Sequence, residues 1–180
     1  MSSARWWRRY YLRRQEKNRK IILGIDPGSI VCGYGLIKTA SHAAEYSYIA
    51  SGRIILSSKN ALHVRLKEIH DGLTGIMNEY SPDEVAIEKI FFAKSIRSAL
   101  TLGHARGAAL IAAASRGVPV YEYSALEVKK AIVGYGRAEK HQIQSMVSKI
   151  LNISFRLSSD SADALALALC HVNTARIFEE

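Results

Sequence analysis

The sequence is poor in the residues that mark several specialised protein classes. Among its 180 residues there are only three prolines and two cysteines, Cys32 and Cys170. Two cysteines are too few for a disulfide scaffold, and they follow no Cys/His zinc spacing, so a reducing compartment fits best and we expect a cytoplasmic protein without structural zinc. The longest apolar run, residues 108–114, is far shorter than the roughly 20 residues of a transmembrane helix. A membrane-spanning segment is therefore not expected.

Negative charge is scarce at the start of the chain, where the overall charge of +9 is concentrated. Residues 1–20 contain eight Lys or Arg and one Glu, which leaves 17 of the 25 bases and 15 of the 16 acids for the remainder. This basic, aromatic segment could be a nucleic-acid-binding arm, an organellar transit peptide, or a disordered extension translated from upstream of the natural start. We expect a disordered extension over residues 1–20, one domain over residues 21–174, and a tail over residues 175–180.

Hydrophobic patterning predicts five strands and five helices. Short apolar segments with turns between them predict strands at residues 21–25, 33–37, 46–56, 85–87 and 118–123. Helical spacing and capping residues predict helices at residues 62–76, 95–116, 125–133, 138–151 and 159–174. The first three strands suggest an antiparallel meander. The whole order predicts an α/β protein with a five-stranded mixed sheet and helices on both faces.

Four acidic residues stand at the ends of apolar elements. Asp26 follows the first strand, Glu88 follows the fourth, and Asp160 and Asp163 lie in the first turn of the last helix. Crossover connections would place the first and fourth strands side by side and parallel, so Asp26 and Glu88 would emerge at one sheet edge. Each acid alone is equally compatible with an ordinary role in a turn or a helix start. Together the four acids suggest a functional site built from carboxylates.

A cluster of four carboxylates favours bound cations, because unpaired carboxylates raise one another's pKa. Ligands that are all oxygen favour Mg²⁺ or Mn²⁺ over zinc. Two such ions would suit the hydrolysis of a phosphodiester, since one can activate water while the other stabilises the leaving oxygen.

An ordered set of motifs carries a family resemblance over residues 21–171. The segments are ILGIDPGS at residues 22–29, AIEKIF at 86–91, LGHARG at 102–107, Val128-Lys129 through Gly134, AEK at 138–140, and DSADALA at 160–166. In order and spacing they closely resemble the bacterial RuvC family of Holliday-junction resolvases. The resemblance implies an RNase H-like fold, a homodimer, Mg²⁺-dependent nicking of two opposed strands of a four-way DNA junction, and cooperation with RuvA and RuvB.

The resemblance also assigns individual residues. The family's four catalytic, metal-binding carboxylates fall on Asp26, Glu88, Asp160 and Asp163. Lys129 and Lys140 resemble family lysines near the scissile phosphate, where positive charge would lower the barrier to reaction. They are accordingly candidate catalytic and DNA-binding residues.

Two phenylalanines are candidates for contact with DNA. Phe91 matches a family phenylalanine that contacts an unstacked base at the junction centre, and an apolar wedge of that kind can open a base step. Phe92 adjoins it, and core packing is the alternative role for both residues. Helix 95–116, whose Gly103 and Gly107 allow close approach by another helix, is expected near the dimer interface.

Three other functions compete with junction resolution. Actin-like ATPases and sugar kinases share the Asp-x-Gly-Ser turn but need a second lobe, for which this chain has no room. A YqgF-like nuclease acting on RNA would share the fold. A non-catalytic junction-binding module is disfavoured by the four acids, since clustered negative charge does not help to bind phosphates.

Overall fold

The computed structural model describes residues 19–39, 46–89 and 96–177. Its strands are β1 (Ile21–Asp26), β2 (Val31–Thr39), β3 (Tyr46–Ile55), β4 (Glu84–Glu88) and β5 (Val120–Tyr123). Its helices are α1 (Leu62–Tyr80), α2 (Ile96–Ser115), α3 (Ala125–Val133), α4 (Lys140–Ile150) and α5 (Ser159–Ile177). Over the described residues, the order of these elements confirms the order predicted from the sequence.

The strands form one mixed sheet in the order β3-β2-β1-β4-β5. The first three strands are the predicted antiparallel meander, whereas β4 and β5 run parallel to β1. Ile25 of β1 pairs with Ile87 of β4, so Asp26 and Glu88 occupy the next position on two adjacent parallel strands. Both residues therefore leave the sheet at the same edge, at the carboxyl ends of their strands.

Alternation of side chains along the strands separates two apolar layers. Leu23, Ile25 and Ile87 pack with buried residues of α1 and α2, whereas Ile22 and Ala86 pack with α3, α4 and α5. Helices thus cover both faces of the sheet, as predicted. The same alternation directs the side chains that follow Ile25 and Ile87, those of Asp26 and Glu88, toward the face covered by α5.

Glycines allow α5 to pack directly on the main chain of the sheet. A Cβ atom added at Gly24 would lie 1.8 Å from the carbonyl oxygen of Ala164, and one added at Gly33 would lie 2.2 Å from that of Asp160. Side-chain carbons are not found at such distances from a carbonyl oxygen. Only glycine at these positions allows the helix to lie where it does.

Local signals define α3. The Ser124 side chain accepts a hydrogen bond from the Glu127 amide, and the Glu127 carboxylate accepts one from the Ser124 amide. This reciprocal arrangement satisfies amides that have no partner within the first turn of the helix. The helix ends at Gly134, which has the left-handed φ of 84° that glycine adopts without strain.

Lys20, the last residue of the predicted extension, contacts the sheet. Its amide donates to the Thr39 hydroxyl at 2.9 Å, and its Nζ lies 2.7 Å from a Glu84 carboxylate oxygen. Residues 1–18 of the predicted extension and residues 178–180 of the predicted tail lie outside the described residues. None of the described helices has the length and apolar character needed to cross a bilayer.

Candidate active site

A cleft of about 380 Å³ lies at the carboxyl ends of β1 and β4, bordered by α3, α4 and α5. Five predicted site residues line it: Asp26, Glu88, Lys129, Lys140 and Asp163. The rest of the lining is apolar and comes from the three helices. Three negative and two positive side chains therefore share one partly enclosed space.

Asp160 lies beside this cleft rather than among its lining residues. It is the second residue of α5, and its Cβ would be 3.1 Å from a Cβ placed on Gly33. Gly33 pairs with Asp26 across β1 and β2, so Asp160 lies next to Asp26 on the α5 face of the sheet. All four predicted acids are thus near one another, each at the end of a regular element.

Burial and mutual repulsion disfavour the ionised forms of Asp26 and Glu88 in the cluster. Burial, and after it the neighbouring charges of Asp163, Glu88 and Asp160, together raise the pKa of Asp26 to about 7, while Lys140 opposes the rise. Burial and the charge of Asp163 also raise the pKa of Glu88. A bound cation would relieve this repulsion, because it stabilises the ionised form of every carboxylate that contacts it.

Lys140 partly compensates the acidic cluster. It is the first residue of α4, and its Nζ lies 2.6 Å from Oδ2 of Asp163. Burial opposes its charged form, but the hydrogen bond to Asp163 and the charges of Asp26 and Asp160 outweigh burial and raise the Lys140 pKa. This lysine therefore remains a cation throughout the neutral pH range. Lys129, on α3, brings a second positive charge to the cleft.

The donor set fits a divalent cation of the magnesium type. The candidate donors are carboxylate oxygens, and the buried Cys32 thiol packs in the opposite apolar layer, among residues of α1 and α2, away from the acids. Within the described part of the chain, no three His, Cys, Asp or Glu side chains already form a metal-binding group. In this arrangement Asp163 is paired with Lys140.

Two side chains, His171 and Arg106, make contacts with the sheet that were not predicted from the sequence. Nε2 of the buried His171 of α5 donates a hydrogen bond to a Glu84 carboxylate oxygen at 2.8 Å, and its Nδ1 lies at hydrogen-bond distance, 2.7 Å, from the Tyr123 hydroxyl, which ties α5 to β4 and β5. Arg106 of α2 reaches the main chain of Glu88. The sequence marks each of them only as one polar residue among several in a helix rich in small or apolar residues.

The predicted DNA-contacting residues Phe91 and Phe92 lie outside the described residues, which end at Lys89 and resume at Ile96. Glu88 and Lys89, the last described residues before this segment, lie at the sheet edge beside the acidic cluster. The proposed contacts of both phenylalanines with DNA stay predictions.

Comparison with known proteins assigns the family. Residues 22–171 match the family described as RuvC, crossover junction endodeoxyribonuclease. The chain belongs to the RuvC family. A crossover junction endodeoxyribonuclease RuvC of Shewanella pealeana is 49% identical over 156 residues, which cover 87% of this chain and 88% of that protein. One from Legionella pneumophila is 52% identical over 151 residues, covering 84% and 86%. This confirms the family resemblance stated from the motifs.

Solved structures agree with the RuvC assignment. The Thermus thermophilus RuvC structure in complex with Holliday junction substrate superimposes with a TM-score of 0.83 at 34% identity, covering 88% of this chain and 96% of that one. The yeast mitochondrial Holliday junction resolvase Ydc2, at 12% identity and a TM-score of 0.61, shares the fold. The RNase H-like fold and a nuclease activity are thereby confirmed. RuvC membership favours neither the YqgF-like alternative nor the non-catalytic module.

Proposed function

We propose that this chain is a metal-dependent endonuclease that resolves four-way DNA junctions by nicking two opposed strands. The observation that carries the proposal is the cluster of Asp26, Glu88, Asp160 and Asp163 beside a cleft that also holds two lysines. Clustered acids would repel a polyanion unless a cation lay between them and the phosphate, so the arrangement suits cleavage of a phosphodiester rather than simple binding. RuvC relatives at about half identity over most of the chain support the same reaction.

The four acids would hold two Mg²⁺ ions, and Mn²⁺ would replace them in the assay. When bound, such ions supply an activated water and stabilise the leaving oxygen. The protein fixes its ligands in advance, because Asp26 and Glu88 end adjacent strands and Asp160 and Asp163 begin a helix packed on the sheet backbone. Each ligand carbon is therefore held by regular main chain rather than by a loop.

The two lysines would hold the scissile phosphate. Lys140 remains protonated because its hydrogen bond to Asp163 and the nearby acids raise its pKa. Lys129 approaches from α3 across the same cleft. Their ammonium groups would attract the phosphate and stabilise the charge that develops on it, and both act without giving up a proton. Phe91, which follows Glu88 by three residues, would contact an unstacked base, with Phe92 beside it.

Two opposed cuts require two active sites related by a two-fold axis, so we propose an isologous homodimer. The exposed face of α2 supports this arrangement. Leu100 and Ile111 are each 60% exposed, and a Cβ added at Gly103 or Gly107 would meet nothing within 4 Å. A second copy of α2 could approach this face closely. Cooperation with RuvA and RuvB and a cytoplasmic location are proposed from family membership.

The function can be tested with a synthetic four-way junction whose strands are labelled one at a time. With Mg²⁺, we expect paired nicks in two opposed strands, and without a divalent cation we expect binding but no cleavage. A linear duplex of the same sequence is the substrate control, and Asp26→Asn is the protein control. Equal cleavage of the duplex and the junction, or cleavage in excess chelator, would refute the proposal.

A further inference from the structure

Arg106 joins three elements on the face of the sheet opposite the cleft. It projects from α2, its Nε donates to the carbonyl oxygen of Glu88 at 3.3 Å, and its Nη2 lies 2.5 Å from Oε1 of Glu122 on β5. The side chain is only 19% exposed. One guanidinium therefore bridges the ends of β4 and β5 from behind, while the carboxylate of Glu88 faces the acidic cluster in front.

The bridge made by Arg106 contacts β4 at its end, where a strand opens most readily. Glu88 is the last residue of β4, and the pairing of β4 with β5 closes with one further hydrogen bond, from the Lys89 amide to the Tyr123 carbonyl at 2.8 Å. Strand ends open more readily than strand centres, because they have fewer neighbouring hydrogen bonds to hold them. The repulsion between the carboxylates of Glu88 and Asp163 acts at the same point.

The guanidinium group of Arg106 is well suited to restrain the main chain at Glu88. A guanidinium is planar and always charged, so its two contacts are fixed relative to each other. The contact with Glu122 anchors the group, and the contact with the Glu88 carbonyl then limits movement of the main chain from which the Glu88 side chain projects. A lysine could satisfy one of these acceptors at a time.

We infer that Arg106 is a positioning residue for Glu88, holding the end of β4 so that this carboxylate is presented to the divalent cation. The inference rests on the proposed metal-dependent function. It assigns Arg106 no contact with the DNA or with the ion. Its effect should appear as weaker metal binding and a looser end of β4, with junction affinity retained.

The test compares Arg106→Ala and Arg106→Lys with Arg116→Ala, which removes an exposed arginine that directly follows the same helix. Loss of a group that orients a metal ligand typically weakens metal binding by about 10- to 100-fold. We expect a loss in that range for Arg106→Ala by calorimetric titration of Mn²⁺, a smaller loss for Arg106→Lys, and none for Arg116→Ala. Junction binding without divalent cations should be alike in Arg106→Ala and Arg116→Ala.

Two further measurements separate positioning from general stability. Hydrogen exchange of the Lys89 amide in the metal-free protein should accelerate in Arg106→Ala, while the Val85 amide, which donates to Pro119 at the other end of β4, should keep its parent rate. Glu122→Gln should weaken metal binding when introduced into the parent. Introduced into Arg106→Ala, it should cause no further loss of metal affinity, because the Glu122 carboxylate acts only through the arginine.

Parent-like Mn²⁺ affinity and parent-like Lys89 exchange in Arg106→Ala would overturn the inference. If Arg106→Ala does not fold, Mn²⁺ affinity and Lys89 exchange are measured on Arg106→Lys instead. Parent-like values of both in that variant would also overturn the inference. These readouts do not depend on cleavage. A parent chain that binds Mn²⁺ but cuts no junction would overturn the proposed function alone.

Discussion

Replacing Asp26 with Asn should stabilise the protein in the absence of metal. Burial and the charges of Asp163, Glu88 and Asp160 raise the pKa of Asp26 to about 7 in the folded state. In the unfolded chain the same carboxyl ionises at its ordinary pKa of 3.8. The folded state therefore carries an electrostatic penalty whenever Asp26 is ionised. Asparagine has nearly the same size and carries no charge, so it removes that penalty.

The size of the effect follows from the pKa. At about 1.36 kcal/mol for each unit, the rise from 3.8 to about 7 corresponds to about 4 kcal/mol. The unfolded chain loses this proton at a lower pH than the folded protein does, so the penalty is absent below pH 3.8. It grows as the pH rises toward 7 and is constant above that. The advantage of Asp26→Asn in free energy of unfolding should follow the same course.

Urea denaturation at several pH values between 5 and 8.5, in excess chelator, measures this difference directly. Asp71→Asn is the matched control, because Asp71 is exposed and the hydrogen bond from Lys67 lowers its pKa, so its loss should not stabilise the protein. Saturating Mg²⁺ should stabilise the parent more than Asp26→Asn, since only the intact site binds the ion fully. If metal-free Asp26→Asn is less stable than the parent at pH 8, our account of the acidic cluster is wrong.

Four further predictions concern cleavage, packing, assembly and base contact. Asp163→Asn should bind a junction at least as tightly as the parent yet cut it more slowly by several orders of magnitude; parent-like cleavage in a gel assay would contradict the metal assignment. Gly33→Ala should lower the free energy of unfolding by about 1–3 kcal/mol, because its Cβ would overlap the Asp160 carbonyl, and unchanged urea denaturation would contradict that packing. Gly107→Leu should shift light scattering toward monomer while circular dichroism stays parent-like; an intact dimer would place the interface elsewhere. Phe91→Ala should slow cleavage, and a mismatch at the cut site should restore part of the rate; equal impairment on both substrates would exclude base unstacking as its role.

Local sequence signals predicted the elements that depend on neighbouring residues. The reciprocal capping of Ser124 and Glu127 and the glycine at position 134 gave both ends of α3 correctly. The four acids were found because each breaks an apolar pattern at the end of an element. A charge next to buried residues is costly there unless something compensates it. The order of strands and helices followed from periodicity in the same way.

Features that depend on contacts between distant segments could not be predicted. The strand expected at residues 33–37 extends over Val31–Thr39, because the exposed Lys38 pairs with β1 and both end residues pair with β3. No local apolar pattern marks these pairings. The strand expected from residue 118 begins at Val120, because the Val118 amide instead donates to the Ala113 carbonyl at the end of α2. The contact between Arg106 and Glu88 likewise requires the strand register, which no short segment contains.

The direct packing of α5 on Gly24 and Gly33 means that the two faces of the sheet tolerate sequence change differently. In the layer formed with α1 and α2, large side chains such as Leu73 and Met77 fill the space, so a substitution there can be compensated by a neighbour of different volume. At Gly24 and Gly33 there is no side chain to exchange, because the main chain of α5 lies directly against the main chain of the sheet. An engineer seeking a more heat-resistant nuclease should therefore repack the first layer and keep Gly24 and Gly33 unchanged.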